Sequence, residues 1–254
     1  MVSGPNRKPV RSVLEGSLKL LREIGRWAEL SLYDPLCAVC GQELVYADEA
    51  IICRECRDRV RLCERPRCRR CGKFMENAEP VCGGCRLRPP PFTRHVSYAA
   101  YETPLREIIL LYKYGEIEPL KKPLAGLFVE LHRRFVREPV GGIVPVPADK
   151  GRHREYEPLE RIGRLLSRRL RLPLLTRALV KVRSTPPQAG LSQAQRLANL
   201  DGAFRLGSVP PRKGQRVLLI DDVYTTGTTI RRCAAVLRRG GVSVIALTLA
   251  QSGY

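Results

Sequence analysis

Apolar and polar positions change period along this chain, and each change marks an element. Leu14, Leu18, Leu21 and Ala28, joined by Val13, Ile24 and Trp27, recur at helical spacing, which predicts an amphipathic helix behind a mobile, Gly-, Pro- and basic-rich tail over residues 1–11. Val96 to Tyr101 alternates as a strand does. Thr103-Pro104 reads as N-cap and first helical position, ahead of an apolar face of Leu105, Ile108, Ile109 and Tyr112. Leu124, Leu127, Phe128 and Leu131 predict a helix over 123–136. Gly142 to Pro147 reads as a short strand that leaves a sheet at its prolines. Pro158 opens a helix with Leu159, Ile162, Leu165 and Leu166 inward, and Ala178 to Val182 is the next strand. Ser192 with Gln195 fits the capping box of a short helix.

The pattern is most regular near the C-terminus. Val217 to Ile220 is apolar on both alternating faces, as in a central strand covered on each side. Ile230, Cys233, Ala234 and Leu237 recur at helical spacing, Gly240-Gly241 supplies the stop, and Val242 to Leu247 is the following strand. Between strand and helix lies Asp221-Asp222-Val223-Tyr224-Thr225-Thr226-Gly227-Thr228-Thr229. Ligands of open α/β sheets sit beyond the carboxyl ends of strands, which places Asp221 and Asp222 at a site. The hydroxyls of Thr225, Thr226, Thr228 and Thr229, with the N–H groups that open the helix, can surround a phosphate. Gly227 permits close backbone approach. Two acceptors beside a phosphate cradle suit a sugar phosphate. The loop holds no lysine, so it is no Walker A motif.

Four CxxC pairs occupy the N-terminal third: Cys37/Cys40, Cys53/Cys56, Cys68/Cys71 and Cys82/Cys85. Two CxxC turns complete a tetrahedral four-cysteine zinc site, closed to catalysis, and this segment has too few large apolar residues to fold without metal. Gly41 and Gly72 each follow a pair and suit the tight turn of a knuckle. Sequential and cross-braced pairings both fit the spacing. Arg65, Arg67, Arg69 and Arg70 stand ready for a polyanion. Cys63 and Cys233 are left over, and Cys233, on the apolar face of its helix, reads as a small core residue.

Composition adds two constraints. Forty-five basic against 25 acidic residues give a formal charge of +20, most of it beyond residue 95. Such a field favours nucleic acid or phosphorylated ligands. No apolar run is long enough to span a bilayer and no compact signal core precedes a cleavage site, so a cytoplasmic protein without membrane insertion is expected. In that compartment ten cysteines read as thiols and metal ligands.

The stretch Val217 to Thr229 is similar to the 5-phosphoribosyl-1-pyrophosphate (PRPP) motif of type I phosphoribosyltransferases. With the four CxxC pairs upstream, the chain from about Leu32 onward resembles the ComF family of competence-associated proteins. The resemblance implies an α/β fold: a type I phosphoribosyltransferase-like parallel sheet flanked by helices, with a small N-terminal Cys-rich zinc-binding domain. Residues 1–31 would be tail and helix, 32–90 the zinc-binding segment, and 91–254 the transferase-like domain, the boundary falling at Pro89-Pro90-Pro91.

It also implies roles. Asp221 and Asp222 would be catalytic, stabilising a cationic ribosyl centre, and Val223 to Thr229 would hold PRPP with Mg2+. After Val144-Pro145-Val146-Pro147, the loop carrying Lys150, Arg152 and Arg154 would hold pyrophosphate. Gln188, Ser192 and Arg196 would lie on a flexible closing loop. Lys113-Tyr114-Gly115 is similar to a family step, although Lys113 reads as a surface residue. Zn2+, as one or two ions, would be structural. Single-stranded DNA and other competence proteins would be the partners in DNA uptake. The chain departs from the family at Arg154-Glu155-Tyr156-Glu157-Pro158, where Arg-Gly-aromatic-Asn-Gln is usual. Three readings stay open: phosphoribosyl transfer, single-stranded-DNA handling, and PRPP sensing without transfer.

Overall fold

The computed structural model describes residues 36–45, 51–76, 79–148, 157–183 and 200–252. The expected helix over residues 13–30, with Trp27, lies outside them. The chain packs as two compact units, Met1–Val60 and Arg61–Tyr254.

In the first unit Leu36 bridges Glu43, the Cys37 N–H donates to the Gln42 carbonyl at 2.7 Å, and the Gly41 N–H to the Cys37 carbonyl at 2.8 Å. Gly41 takes φ +74, the left-handed turn that glycine adopts without strain. Helix α1, Arg54–Asp58, begins at Cys53, whose sulfur accepts from the Cys56 N–H. A small core of Cys37, Leu44, Cys53 and Cys56 takes in Val39 and Ile52.

The second unit repeats the construction before its sheet begins. Arg67 bridges Phe74, the Cys68 N–H donates to Lys73 and the Gly72 N–H to Cys68, and Gly72 has φ +70. Helix α2, Gly83–Leu87, follows Cys82. The two groups are Cys37/Cys40/Cys53/Cys56 and Cys68/Cys71/Cys82/Cys85, so the pairing is sequential.

The sheet carries strands β1, Arg94–Ala100; β2, Ile143–Pro145; β5, Arg216–Tyr224; and β6, Ser243–Gln251, in the order β1-β6-β5-β2, every pair parallel. Helices α3, Leu105–Tyr114; α4, Lys121–Phe135; α5, Pro158–Leu170; and α6, Thr228–Arg239 complete the unit. Alternate residues of β5 and β6 divide between two layers. Val217, Leu219, Val244 and Ala246 pack with Ile230, Cys233, Ala234 and Leu237 of α6, and with Phe92, Cys68, Cys71 and Cys85. The opposite face meets α4 along β1 and β6, and α5 along β2 and β5. The second zinc-ligand segment thus shares with α6 the work of covering one face. Cys233 is fully buried, as its place on the apolar face implies.

Several local expectations are modified. No side-chain cap opens α3, which starts one residue after Pro104, and the Thr103 hydroxyl reaches the Glu107 carboxylate instead. Residues 178–182 do not join the main sheet: β3, Leu179–Lys181, pairs antiparallel with β4, Phe204–Leu206, a strand too short to leave a periodic signal. At the end of α6 the Gly241 N–H returns to Arg238 and the Val242 N–H to Leu237, with Gly241 at φ +78, so the predicted glycine stop is a Schellman turn.

The matching turn glycines differ in surroundings. Nothing lies within 4 Å of a Cβ added at Gly41, whereas one at Gly72 would meet the His95 carbonyl oxygen at 2.5 Å and His95 Nδ1 at 2.9 Å. Gly41→Ala is expected to cost only the left-handed penalty of about 1–2 kcal/mol. Gly72→Ala should cost more, because it lifts the segment off β1. Thermal unfolding of the zinc-loaded chain checks this: a Gly72→Ala melt no lower than that of Gly41→Ala would contradict the seating.

Candidate functional site

Strand β5 runs two residues past the paired carboxylates, so Asp221, Asp222, Val223 and Tyr224 all belong to its carboxyl end. The Tyr224 carbonyl accepts from the Ser252 N–H, and the chain turns through Thr225 and Thr226 into Gly227 at φ +72. Helix α6 starts at Thr228, whose N–H donates to Thr226 Oγ1 at 3.4 Å, and the Gly227 N-cap supplies no side chain, so the amides of the first turn face the threonine turn. The hydroxyls of Thr226 and Thr228 are 2.8 Å apart, Thr228 is buried, and the Gly227 carbonyl accepts from the Arg231 N–H. Hydroxyls and helix-opening amides therefore converge where the central strand meets a helix N-terminus.

The carboxylates are held by their own backbone. Asp221 Oδ1 accepts from the Asp222 N–H at 2.9 Å and Asp222 Oδ1 from the Val223 N–H at 2.8 Å. Lys113, at the end of α3, forms an ion pair with Asp222. Its place is therefore neither a free surface position nor a ready phosphate contact, because the strand carboxylate takes its ammonium group. Burial first, and the Asp222 charge second, push the Asp221 carboxyl well above its usual range, with Lys113 opposing. Burial pulls the Lys113 ammonium down, but the Asp222 charge outweighs it and holds the group above its ordinary value.

Beneath the turn, the Tyr224 ring stacks on His95 with centroids 4.0 Å apart and planes at 17°. A Cβ on Gly227 would fall 2.1 Å from the Tyr224 hydroxyl oxygen, so that turn must be glycine. His95 is buried; its Nδ1 lies 2.8 Å from the Cys71 carbonyl oxygen and its Nε2 2.9 Å from Thr248 Oγ1. A carbonyl can only accept, so Nδ1 carries the proton and Nε2 accepts from the threonine hydroxyl. One imidazole thus joins a metal-ligating turn, β6, and the aromatic floor of the phosphate-loop candidate. Nothing in the periodicity of residues 94–100 marked His95 for this role.

Both cysteine groups fit zinc. All four sulfurs of each lie within 4.8 Å of one another, with Cys40 Sγ 3.7 Å from Cys53 Sγ and Cys71 Sγ 3.7 Å from Cys82 Sγ. Ligands of a tetrahedral site with Zn–S near 2.3 Å stand roughly 3.8 Å apart. Burial disfavours the thiolates of Cys37 and Cys68, yet the N–H groups of Cys53 and Val39 bring Cys37 down to about 6, and those of Cys82 and Arg70 bring Cys68 to about 7. Burial holds Cys53, Cys56, Cys71 and Cys85 above their ordinary value. Each group therefore presets one thiolate and relies on the dication to ionise the buried pair that resists.

Arg67 is not available to a polyanion. Its guanidinium donates to the Ser97 and Cys63 carbonyls and lies over the rings of Phe74 and Phe135. Arg65, Arg69 and Arg70 are exposed, Arg70 donating to the Cys85 carbonyl at 3.3 Å. The pyrophosphate-loop candidates Lys150, Arg152 and Arg154, and the flexible-loop candidates Gln188, Ser192 and Arg196, lie outside the described residues.

A family model described as the double zinc ribbon domain matches residues 30–86, and one described as the phosphoribosyl transferase domain matches residues 161–253. The chain is 31% identical over 217 residues to the DNA utilization protein YhgH of Escherichia coli (strain K12), covering 83% of this chain and 93% of the relative. It is 29% identical over 223 residues to Competence protein F of Haemophilus influenzae, covering 85% and 96%. The chain belongs to the ComF family. Among solved structures, adenine phosphoribosyltransferase from Saccharomyces cerevisiae aligns with a TM-score of 0.37 and 13% identity over 55% of this chain and 72% of that one. In this ComF-family chain the double-ribbon match spans both four-cysteine sites, which hold structural zinc. The transferase match takes in β5, the threonine turn, α6 and β6. Among the described residues no helix is long and apolar enough to cross a membrane.

The site's electrostatics and its support each set an expected outcome. The native Asp221 carboxyl keeps its proton to higher pH than an unfolded aspartate, so the native state binds more protons between the two pKa values. Stability therefore falls as pH rises through that window. Asp221→Asn is expected to stabilise the chain above the window, by less and less as pH falls through it; urea unfolding of the zinc-loaded chain at successive pH values above that at which the thiolates release zinc reads the difference. As to support, Cys82→Ser should speed hydrogen exchange of the amides from Thr225 to Ile230, while Cys40→Ser leaves them unchanged. Equal protection in both variants would show that the second ribbon does not hold the turn.

Proposed function

We propose that this protein binds PRPP, accompanied by Mg2+, at the carboxyl end of β5, and that it serves DNA uptake, a reading supported by relatives named for DNA utilization and for competence. The observation that carries the reading is the run of two backbone-anchored carboxylates into a threonine-lined turn at a helix N-terminus, with glycine at its apex. Asp221 and Asp222 would accept the ribose hydroxyls. Thr225 to Thr229, with the first amides of α6, would hold the 5′-phosphate. Lys150, Arg152 and Arg154 would meet the pyrophosphate, and Gln188, Ser192 and Arg196 would close over it. Single-stranded DNA is the macromolecular partner, with other competence proteins beside it in a cytoplasmic setting.

Binding without transfer has one observation of its own. A ribosyl centre that becomes cationic draws on nearby carboxylates, but Lys113 already neutralises Asp222, and burial favours the protonated form of Asp221. The pair is thus suited to accept hydroxyl hydrogen bonds and less suited to stabilise positive charge.

Calorimetric titration with Mg2+-PRPP tests the pocket. Asp221→Asn with Asp222→Asn should weaken binding by about 1.5–3 kcal/mol, at least tenfold, for the charged hydrogen bond lost at Asp222; an unchanged affinity would remove the assignment. Pyrophosphate release with any purine or pyrimidine base would assign transfer, whereas tight PRPP binding with no release across the bases would assign sensing.

A further inference from the structure

Strand alternation sends the paired carboxylates to opposite faces of β5. Val217 and Leu219 pack against α6, and Asp221 continues that series: burial raises the Cys233 thiol of α6, and the Asp221 charge adds to it. Asp222 turns the other way, where Lys113 of α3 meets it. Asp222 Oδ1 is taken by the Val223 N–H, so Oδ2 is the oxygen that faces a ligand, and Lys113 covers it. With 38% of the lysine side chain and 23% of the aspartate side chain exposed, the pair is open to an arriving solute. The helix beneath is held firmly. Leu105, Ile108, Ile109 and Tyr112 are buried, and the Tyr112 hydroxyl donates to the Pro158 carbonyl at 2.8 Å, tying the end of α3 to the start of α5. From that fixed point the lysine stem can turn about several bonds and ends in three donors. A second seat lies beside the first: the exposed Tyr114 ring has its centroid 5.9 Å from Lys113 Nζ, within cation–π reach.

A cation at a helix C-terminus is ordinary. Its seat on the one carboxylate oxygen that a ribose hydroxyl would take is not. A hydroxyl must compete there with an ammonium, and a ligand prevails when it gives the ammonium something else to hold. We propose that Lys113 sets the ligand preference of the strand end: it passes from Asp222 to an anionic group on the anomeric side of a phosphoribosyl ligand, so that the site favours a ribose with a second anion over ribose 5-phosphate. The proposal rests on the phosphoribosyl reading above and deepens it. With the 5′-phosphate at the threonine turn and the ribose hydroxyls at the carboxylates, the C1 substituent points away from the turn, toward the face from which Lys113 enters. A pyrophosphate there draws the ammonium off Oδ2 and frees that oxygen for a hydroxyl. A neutral substituent leaves hydroxyl and ammonium to compete, which is discrimination by an unfavourable contact built against the wrong ligand. The ammonium changes neighbours without leaving, so the countercharge that disfavours a cationic ribosyl centre stays beside it.

The test is calorimetric titration of the zinc-loaded chain and its Lys113→Met variant with PRPP and with ribose 5-phosphate, at one Mg2+ concentration. Ribose 5-phosphate should bind the variant about tenfold more tightly, because its hydroxyls no longer displace an ammonium from Oδ2. PRPP should gain nothing, since the contact that offset the displacement is lost with it, and the preference for PRPP falls by the same factor. In an Asp222→Asn background, where no ion pair has to break, the same substitution should weaken PRPP and leave ribose 5-phosphate unchanged. Arg168→Met, an equal charge change at an exposed position of α5, should alter neither affinity. Lys113→Gln, which keeps a polar contact with Asp222, should show the same fall in preference and serves if the methionine chain does not fold. Equal shifts for both ligands, or none, would overturn the proposal and leave Lys113 a structural ion pair, with the phosphoribosyl reading intact. An unaltered chain that binds ribose 5-phosphate as tightly as PRPP would do the same. An unaltered chain that binds neither would remove the phosphoribosyl reading, and the role of Lys113 with it.

Discussion

The imidazole of His95 sits where three kinds of structure meet: a metal-ligating turn, a parallel sheet, and the loop that leaves its central strand. Burial pulls its pKa down to about 4, so at neutral pH it is an uncharged ring with one donor and one acceptor. The Cys71 carbonyl takes the first and the Thr248 hydroxyl the second. A ring so satisfied cannot rotate without stranding two buried polar groups, a cost of about 1–3 kcal/mol each. Its face then fixes Tyr224, and Tyr224 leaves room at the next turn for glycine alone. The shape of the threonine turn is thus set from below, by contacts that trace back to a zinc ligand.

Charge at the tip of β5 works against that order. Two adjacent carboxylates at the end of a covered strand repel one another and lose hydration, and the chain answers with Lys113 from α3 and with a raised Asp221. Apolar residues would have suited the same position better for stability alone. Such a local conflict in a region whose other levels agree is what a binding site looks like in energetic terms.

Much of this was readable beforehand because it rests on local rules. The unbroken apolar run at Val217 to Ile220 announced a strand covered on both faces, and Gly240-Gly241 announced the stop of α6. Paired CxxC turns announced four-cysteine zinc binding, and the structure adds that there are two groups, paired in sequence. What escaped was non-local. Lys113 and Asp222 are far apart in sequence, and no spacing rule joins them. Arg67 looks like its exposed neighbours Arg65, Arg69 and Arg70, yet two phenylalanine rings and two carbonyls hold it inside. Nor does any periodicity show that Cys68, Cys71 and Cys85 share one cluster with the buried face of α6, where Phe92 and His95 seat that ribbon.

The two ribbons show what such a seat changes. Their turns, sulfur spacings and preset thiolates are alike, but Gly41 faces open space and Gly72 faces the backbone of β1. A helix covering this side of the sheet would need an apolar face over several turns, and its outer surface would stand well above the sheet. A zinc ribbon needs neither, because the ion, worth about 10–16 kcal/mol in small fingers, replaces most of the apolar core. Its helix α2 is only five residues long. Short elements with so little to bury leave outward positions free for charge, and Lys73 and Arg88 there line one cleft with Thr225, Thr226 and Thr228. The metal thereby does more than close a turn: it lets a thin, basic layer lie where a thicker and more apolar one would have kept those cations away from the strand end.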